Sequence, residues 1–136
     1  MARRIFLGLS ALIWLPYGIF CFFQPGYLGE AAGVTISSTT ASIELRAMYG
    51  GLQAAIGALA VAALLRPALE RTALLTLVFL CLGLGLARSL GTLIDGEMSS
   101  YTGIAIVFEL TSAGVAASLL RAMPARGASP QTAAAG

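Results

Sequence analysis

Six polar side chains stand where a chain this apolar has few to spare: Glu44, Arg46, Tyr49, Gln53, Arg88 and Glu109. Each falls in or at the edge of a long apolar run, and a charge at the centre of a bilayer costs about 2.5 to 3.5 kcal/mol on the insertion scale. A carboxylate and a guanidinium in such surroundings either neutralise each other or line a polar space that binds a ligand or relays a proton. Arg46, Tyr49, Gly50, Gln53 and Gly57 recur at i, i+3, i+4, i+7 and i+11, which is one face of a helix. Cys81, Gly85, Arg88 and Thr92 share a face further along, and Thr102, Ala105, Glu109, Ser112 and Ala116 share another.

The elements that hold these residues follow from composition. The chain has 136 residues, 58% of them hydrophobic and 10% charged, against roughly 25% charged in soluble domains. Four windows, 5–23, 45–65, 72–94 and 102–120, each approach the ~20 residues that a helix needs to cross the hydrocarbon layer. Only helices or closed barrels satisfy every backbone group in lipid, and strand alternation is absent, so the expected fold is all-α. It is a polytopic, antiparallel four-helix transmembrane bundle over 1–122, followed by a disordered tail over 123–136 that is rich in Pro, Gly, Ser and Ala.

All basic side chains are arginines. Arg3, Arg4, Arg66, Arg71, Arg121 and Arg126 lie at the N-terminus, between the second and third spans, and in the tail, whereas the other two loops carry Glu30, Asp95 and Glu97. The positive-inside rule then places both termini in the cytoplasm. The first apolar run is long for a signal-peptide core and lacks a good cleavage site, so it is expected to remain as a helix. Pro16 is expected to kink that helix, and Trp14 either packs against a neighbour or faces lipid. Tyr27 and Tyr101 fall where interfacial belt tyrosines belong. The segment from Tyr27 to Ser42 predicts a short interfacial helix and an extended lead, with Thr40 or Ser42 as N-cap of the second span.

Without a hydrophobic drive between helices in lipid, small residues mark close contacts. Ala47, Gly51 and Ala55, and Gly50, Ala54, Ala58 and Ala62, form two such ridges on the second span; Gly83, Ala87 and Gly91 form one on the third. These ridges predict that spans two and three are central, and that one ridge is available to a homodimer or protein partner. Cys21 and Cys81 differ in depth by roughly 15 Å at 1.5 Å per residue, too far for a disulfide.

Arg88 and Glu109 sit at nearly equal distances from the short loop between spans three and four, roughly 9 to 10 Å deep. An antiparallel hairpin therefore brings them together as an ion pair, extended by Gln53 and Tyr49, with Glu44 and Arg46 above it at the mouth. One reading is a clasp that fixes helix register; the other is a small pocket for a ligand or a proton. Glu44 also has a simpler account as a first-turn acid on a helix dipole.

At ELRAMYGG, residues 44–51, the sequence resembles a family of small bacterial four-helix membrane proteins of unknown function, distantly similar to DoxX-like proteins. The resemblance takes in Pro25, Gly26, Gly33, the block Glu44 to Gly51, Gly57, and the helices bearing Arg88 and Glu109, over roughly residues 5–120. It implies four spans and supplies no substrate.

Histidine and lysine are absent, no paired thiol or phosphate-binding glycine loop occurs, and neither a metal, a cofactor nor nucleic acid is expected. No catalytic residue is assigned. The leading expectation is an accessory or partner-binding bundle in contact with membrane lipid. A transporter or channel using Glu109 and Arg88 comes second, although helix 1 lacks the carboxylate of the small four-helix drug exporters it otherwise resembles in size. An enzyme acting on an apolar metabolite through Glu109 or Glu44 comes third, because a neighbouring arginine holds a carboxylate charged rather than cycling its proton.

Overall fold

The computed structural model of the chain describes residues 1–124. Among them lie helices α1 (Ala2–Phe23), α2 (Tyr27–Ala32), α3 (Thr39–Leu45), α4 (Leu52–Leu65), α5 (Glu70–Asp95) and α6 (Ser100–Arg121). A π-helical turn, Arg46–Gly51, joins α3 to α4, and a 3₁₀ turn, Pro67–Leu69, leads into α5. No strand occurs among the described residues. Four helical rods, Ala2–Phe23, Thr39–Leu65, Pro67–Asp95 and Ser100–Arg121, are long and apolar enough to cross a membrane. Most of the large apolar side chains on their outer faces, among them Phe79, Ile94 and Val107, are exposed, as a lipid-facing surface requires.

The helix ends follow local chemistry. Gln24, Pro25 and Gly26 stop α1, while α2 and α5 end on Gly33 and Gly96 at φ 68° and 71°, a left-handed geometry that glycine adopts without strain. Ser99 caps α6 by accepting from the Thr102 amide at 3.1 Å. The second rod begins earlier than its apolar window: its cap is Ser38, accepting from the Ala41 amide at 3.1 Å, rather than Thr40 or Ser42. The short helix Thr39–Leu45 extends the rod, Ser38 satisfying one of its free first-turn amides, that of Ala41. Helix α1 runs unbroken through Pro16. The expected tail falls, apart from Met123 and Pro124, outside the described residues.

Two antiparallel pairs build the bundle, α1 with α4 and α5 with α6; α4 and α5 touch less, and α1 touches α5 and α6 only sparsely. Spans two and three therefore form the main junction between the pairs, in keeping with the central place expected of them. Within the expected ridges, Gly50 and Ala54 do make a close contact, lying with their backbone against Gly18; the other close approaches use residues outside the ridges, Gly57 against the backbone of Leu15 and Gly85 against Leu110. Of the expected ridges, Gly50 is buried, but Ala47, Gly51, Ala55, Gly83 and Ala87 face outward. Spacing alone finds ridges but cannot tell which of several faces a partner, since every face of these helices is rich in Ala and Gly.

The α1–α4 pair is locked at both ends by arginines. Arg46 donates to the carbonyl of Phe22 in the last turn of α1, and Arg4 donates to that of Leu64 in the last turn of α4 at 3.1 Å. Each guanidinium satisfies a carbonyl that has no partner within its own helix, at the negative end of the helix dipole. Beside Arg4, Arg3 pairs with Glu70 at 3.2 Å and ties α1 to the start of α5. The core between these ends is apolar, with Leu7, Leu74, Leu77, Ala113 and Ala116 all essentially buried.

Candidate functional site

Arg88 and Glu109 meet across the α5–α6 pair, Arg88 Nε donating to Glu109 Oε1 at 3.0 Å. Gly85, one turn before Arg88 on the same face of α5, lets the two helices come close: a Cβ there would meet Leu110 at 2.6 Å and Glu109 Cβ at 3.4 Å. The missing side chain shortens the span that the pair must bridge. Glu109 is 4% exposed, and its second oxygen, Oε2, is buried with no hydrogen-bond partner. A buried acceptor that has lost water without gaining a donor is costly, more so when charged.

The ion pair forms one side of a cavity of about 240 Å³. Gln53 from α4 and Tyr17 and Tyr101 from α1 and α6 complete its polar groups. Ile13, Trp14, Ile104, Ala105 and Phe108 supply apolar wall. Trp14, 5% exposed, packs on Phe108 with ring centroids 5.9 Å apart and planes tilted by 47°. The Tyr17 and Tyr101 hydroxyls lie 3.3 Å apart, bridging α1 and α6. The Arg88 guanidinium lies 5.9 Å from the centre of the Tyr101 ring, within cation–π range. The cavity lies between α1 and α6, which touch only sparsely, so space remains between them.

The six residues singled out by sequence separate into two groups. Gln53, Arg88 and Glu109 share the cavity wall. Glu44 is exposed and makes no ion pair or side-chain hydrogen bond among the described residues, Arg46 is engaged with Phe22 through both its carbonyl and its ring, and Tyr49 is half-buried outside the wall. No hydrogen bond extends the ion pair to Gln53 or Tyr49 among the described residues. The cause is the π-helical turn over Arg46–Gly51: its wider winding breaks the 3.6-residue period on which a single face from Arg46 to Gly57 depends. It also carries Gly50 against Phe22, where a Cβ would sit 2.8 Å away.

Trp14, Tyr17 and Tyr101 are the wall residues with polar groups that the sequence analysis does not assign to the site. Tyr101 is not simply a belt residue; it stands two helical turns before Glu109 on the same face of α6, and i, i+4, i+8 through Ala105 would have placed it there. Ser10, Trp14, Tyr17 and Cys21 likewise share a face of α1, the polar-aromatic stripe that runs into the bundle. Cys21 and Cys81 are separate buried thiols.

The family described as “Domain of unknown function (DUF4345)” matches the chain over residues 2–120. The chain belongs to the DUF4345 family. That match covers the four long rods except for Arg121 and takes in every residue of the cavity wall. No curated protein and no solved structure matches the chain. The DUF4345 description assigns no activity, so the reading of the site rests on its geometry.

Proposed function

We propose that this multi-pass protein is a small-molecule-binding bundle of the bacterial inner membrane, both termini cytoplasmic, acting as an accessory component rather than as a catalyst. One observation carries the reading: a buried carboxylate oxygen without a donor, on a residue that lines a cavity. A clasp that served only helix register would be expected to satisfy both oxygens, since half-satisfied buried polar groups work against stability. The arginine distribution supports the orientation.

The transporter reading draws on the same ion pair, because an ionisable residue inside a span usually marks a functional path. Against it, the apolar core around Leu7, Leu74 and Ala116 fills the bundle between the cavity and the arginine-rich end, and this favours binding over passage. Flux into proteoliposomes that depends on pH and vanishes in Glu109→Gln would turn the balance to transport.

Purification in mild detergent followed by mass spectrometry of bound small molecules tests the binding reading. The wild type is expected to retain a small molecule that Ala105→Leu, which fills the cavity, does not. The same profile of bound molecules in both proteins would count against the cavity as a binding site.

A further inference from the structure

The cavity wall carries hydrogen-bonding capacity that the protein itself does not use, and most of it lies on the donor side. A guanidinium has five N–H groups, and of those on Arg88 only the one on Nε is engaged, with Glu109 Oε1 at 3.0 Å. Neither Nη donates to an acceptor among the described residues, and neither is among the fully occluded atoms that lack a partner. Gln53, on the same wall, makes no side-chain hydrogen bond among the described residues, and its amide is not occluded either. Glu109 offers a bound molecule little in return, since one oxygen holds Arg88 and the other is buried out of reach. The Tyr17 and Tyr101 hydroxyls are joined to each other.

The free N–H groups are also held in place before any ligand arrives. Glu109 fixes Nε, and the guanidinium stands 5.9 Å from the centre of the Tyr101 ring, so little ordering remains to be done on binding. The Arg88 charge is already balanced by Glu109, and an anion would bring an uncompensated charge into a low-dielectric space. A neutral acceptor avoids that cost and still gains a hydrogen bond to a charged donor, which is the stronger kind. Ile13, Trp14, Ile104 and Phe108 make the rest of the wall mainly apolar. A dry apolar cavity of about 150 Å³ accepts a benzene-sized molecule; one of about 240 Å³ has room for a ring with a short substituent.

We infer that the cavity binds a neutral, ring-sized apolar ketone or related carbonyl compound, its oxygen accepting from the free N–H groups of Arg88. This deepens the binding reading and rests on it. The ring packs on the apolar wall beside Trp14 and Phe108, and Gln53 places a second unengaged amide in the same space.

The full chain in phosphatidylcholine nanodiscs is titrated with acetophenone, isotope-labelled at its carbonyl carbon, and the bound ketone is then competed with isopropenylbenzene, which has the same shape with a methylene in place of the oxygen. The carbonyl resonance is expected to move downfield of its position in protein-free nanodiscs, as a hydrogen bond to the oxygen requires, and to saturate. Isopropenylbenzene is expected to displace the ketone only at membrane concentrations higher by about tenfold or more, the effect of losing a hydrogen bond to a charged donor. Arg88→Leu combined with Glu109→Leu, which leaves no buried charge unpaired, is expected to bind the two compounds alike, and Ala105→Leu to bind neither. Displacement at equal concentrations, or a bound carbonyl without the downfield shift, would overturn the acceptor preference and leave the cavity standing as a binding site. Should the double variant fail to fold, that resonance on the wild-type protein still decides. Saturable ketone binding that survives Ala105→Leu would lie outside the cavity and overturn the assignment. No saturable response at all would overturn the inferred ligand class, while the fate of the binding reading stays with the co-purified molecules.

Discussion

The protein holds two buried or half-buried Arg–Glu pairs of the same chemistry and nearly the same length, and they behave as different devices. Arg3 and Glu70 meet at 3.2 Å with side chains 38% and 11% exposed; Arg88 and Glu109 meet at 3.0 Å with side chains 23% and 5% exposed. Both pairs are joined through a single Nε to a single carboxylate oxygen. At Glu70 the other oxygen is not among the buried polar atoms lacking a partner, whereas at Glu109 it is. The first pair sits at the end of the bundle, beside Arg4 and its carbonyl, where it ties α1 to α5. The second borders the cavity. Both carboxylates have one oxygen bonded, so it is the burial of the second oxygen, rather than the presence of an ion pair, that separates the two sites.

The largest effect should come from taking one partner out of the inner pair. Arg88→Ala leaves Glu109 as an uncompensated buried charge and should destabilise the bundle by about 3 to 5 kcal/mol, read from unfolding in detergent mixtures of increasing dodecyl sulfate. Replacing both partners by leucine should restore most of that loss, because a buried ion pair is often no more stabilising than apolar side chains of similar volume. Were the two single losses simply to add, Arg88 and Glu109 would not form one energetic unit, and the distinction between the pairs would have lost its physical basis.

Glycines offer the next step down in magnitude. Gly57 lies against the backbone of Leu15, which has little room to move, so Gly57→Ala should cost about 1 to 3 kcal/mol by forcing α1 away from α4. Gly83 has nothing within 4 Å of the added Cβ, and Gly83→Ala should be neutral or stabilising by up to about 1 kcal/mol through helix propensity. Comparable losses at the two positions, measured in the same unfolding assay, would show that the outward ridge of α5 is in fact packed against something.

Those glycines also show where the sequence is legible and where it is not. Four spans, their antiparallel order and the meeting of Arg88 with Glu109 follow from hydropathy, loop length and equal depth about a short turn, all of which are local quantities. Which faces touch does not follow, because Gly51, Gly57, Gly83 and Gly85 look alike in a window where nearly every residue is small or apolar. Arg46 went astray for a different reason: a π-helical turn is a departure from the 3.6-residue period, and the period is the very ruler used to assign faces. Tyr101 was read by its position at a membrane boundary, although its two-turn spacing from Glu109 carried the better clue.

The smallest effect expected is at the outer pair, and it is the one that most directly tests the comparison. Arg3→Ala removes a guanidinium that is itself more than a third exposed, and Glu70 can regain water at the end of the bundle. Pairs of that kind contribute roughly 0 to 1 kcal/mol, and salt weakens them further. The loss on Arg3→Ala should therefore be at most about 1 kcal/mol in low salt and smaller still at high ionic strength, whereas the loss on Arg88→Ala should hardly change with salt, because counter-ions do not reach a pair enclosed by α5, α6 and the cavity wall. Equal salt sensitivity at the two sites would mean that water reaches Glu109 as freely as it reaches Glu70. The second oxygen of Glu109 would then be hydrated rather than buried without a donor, and the reading of the cavity as a binding site would lose its main support.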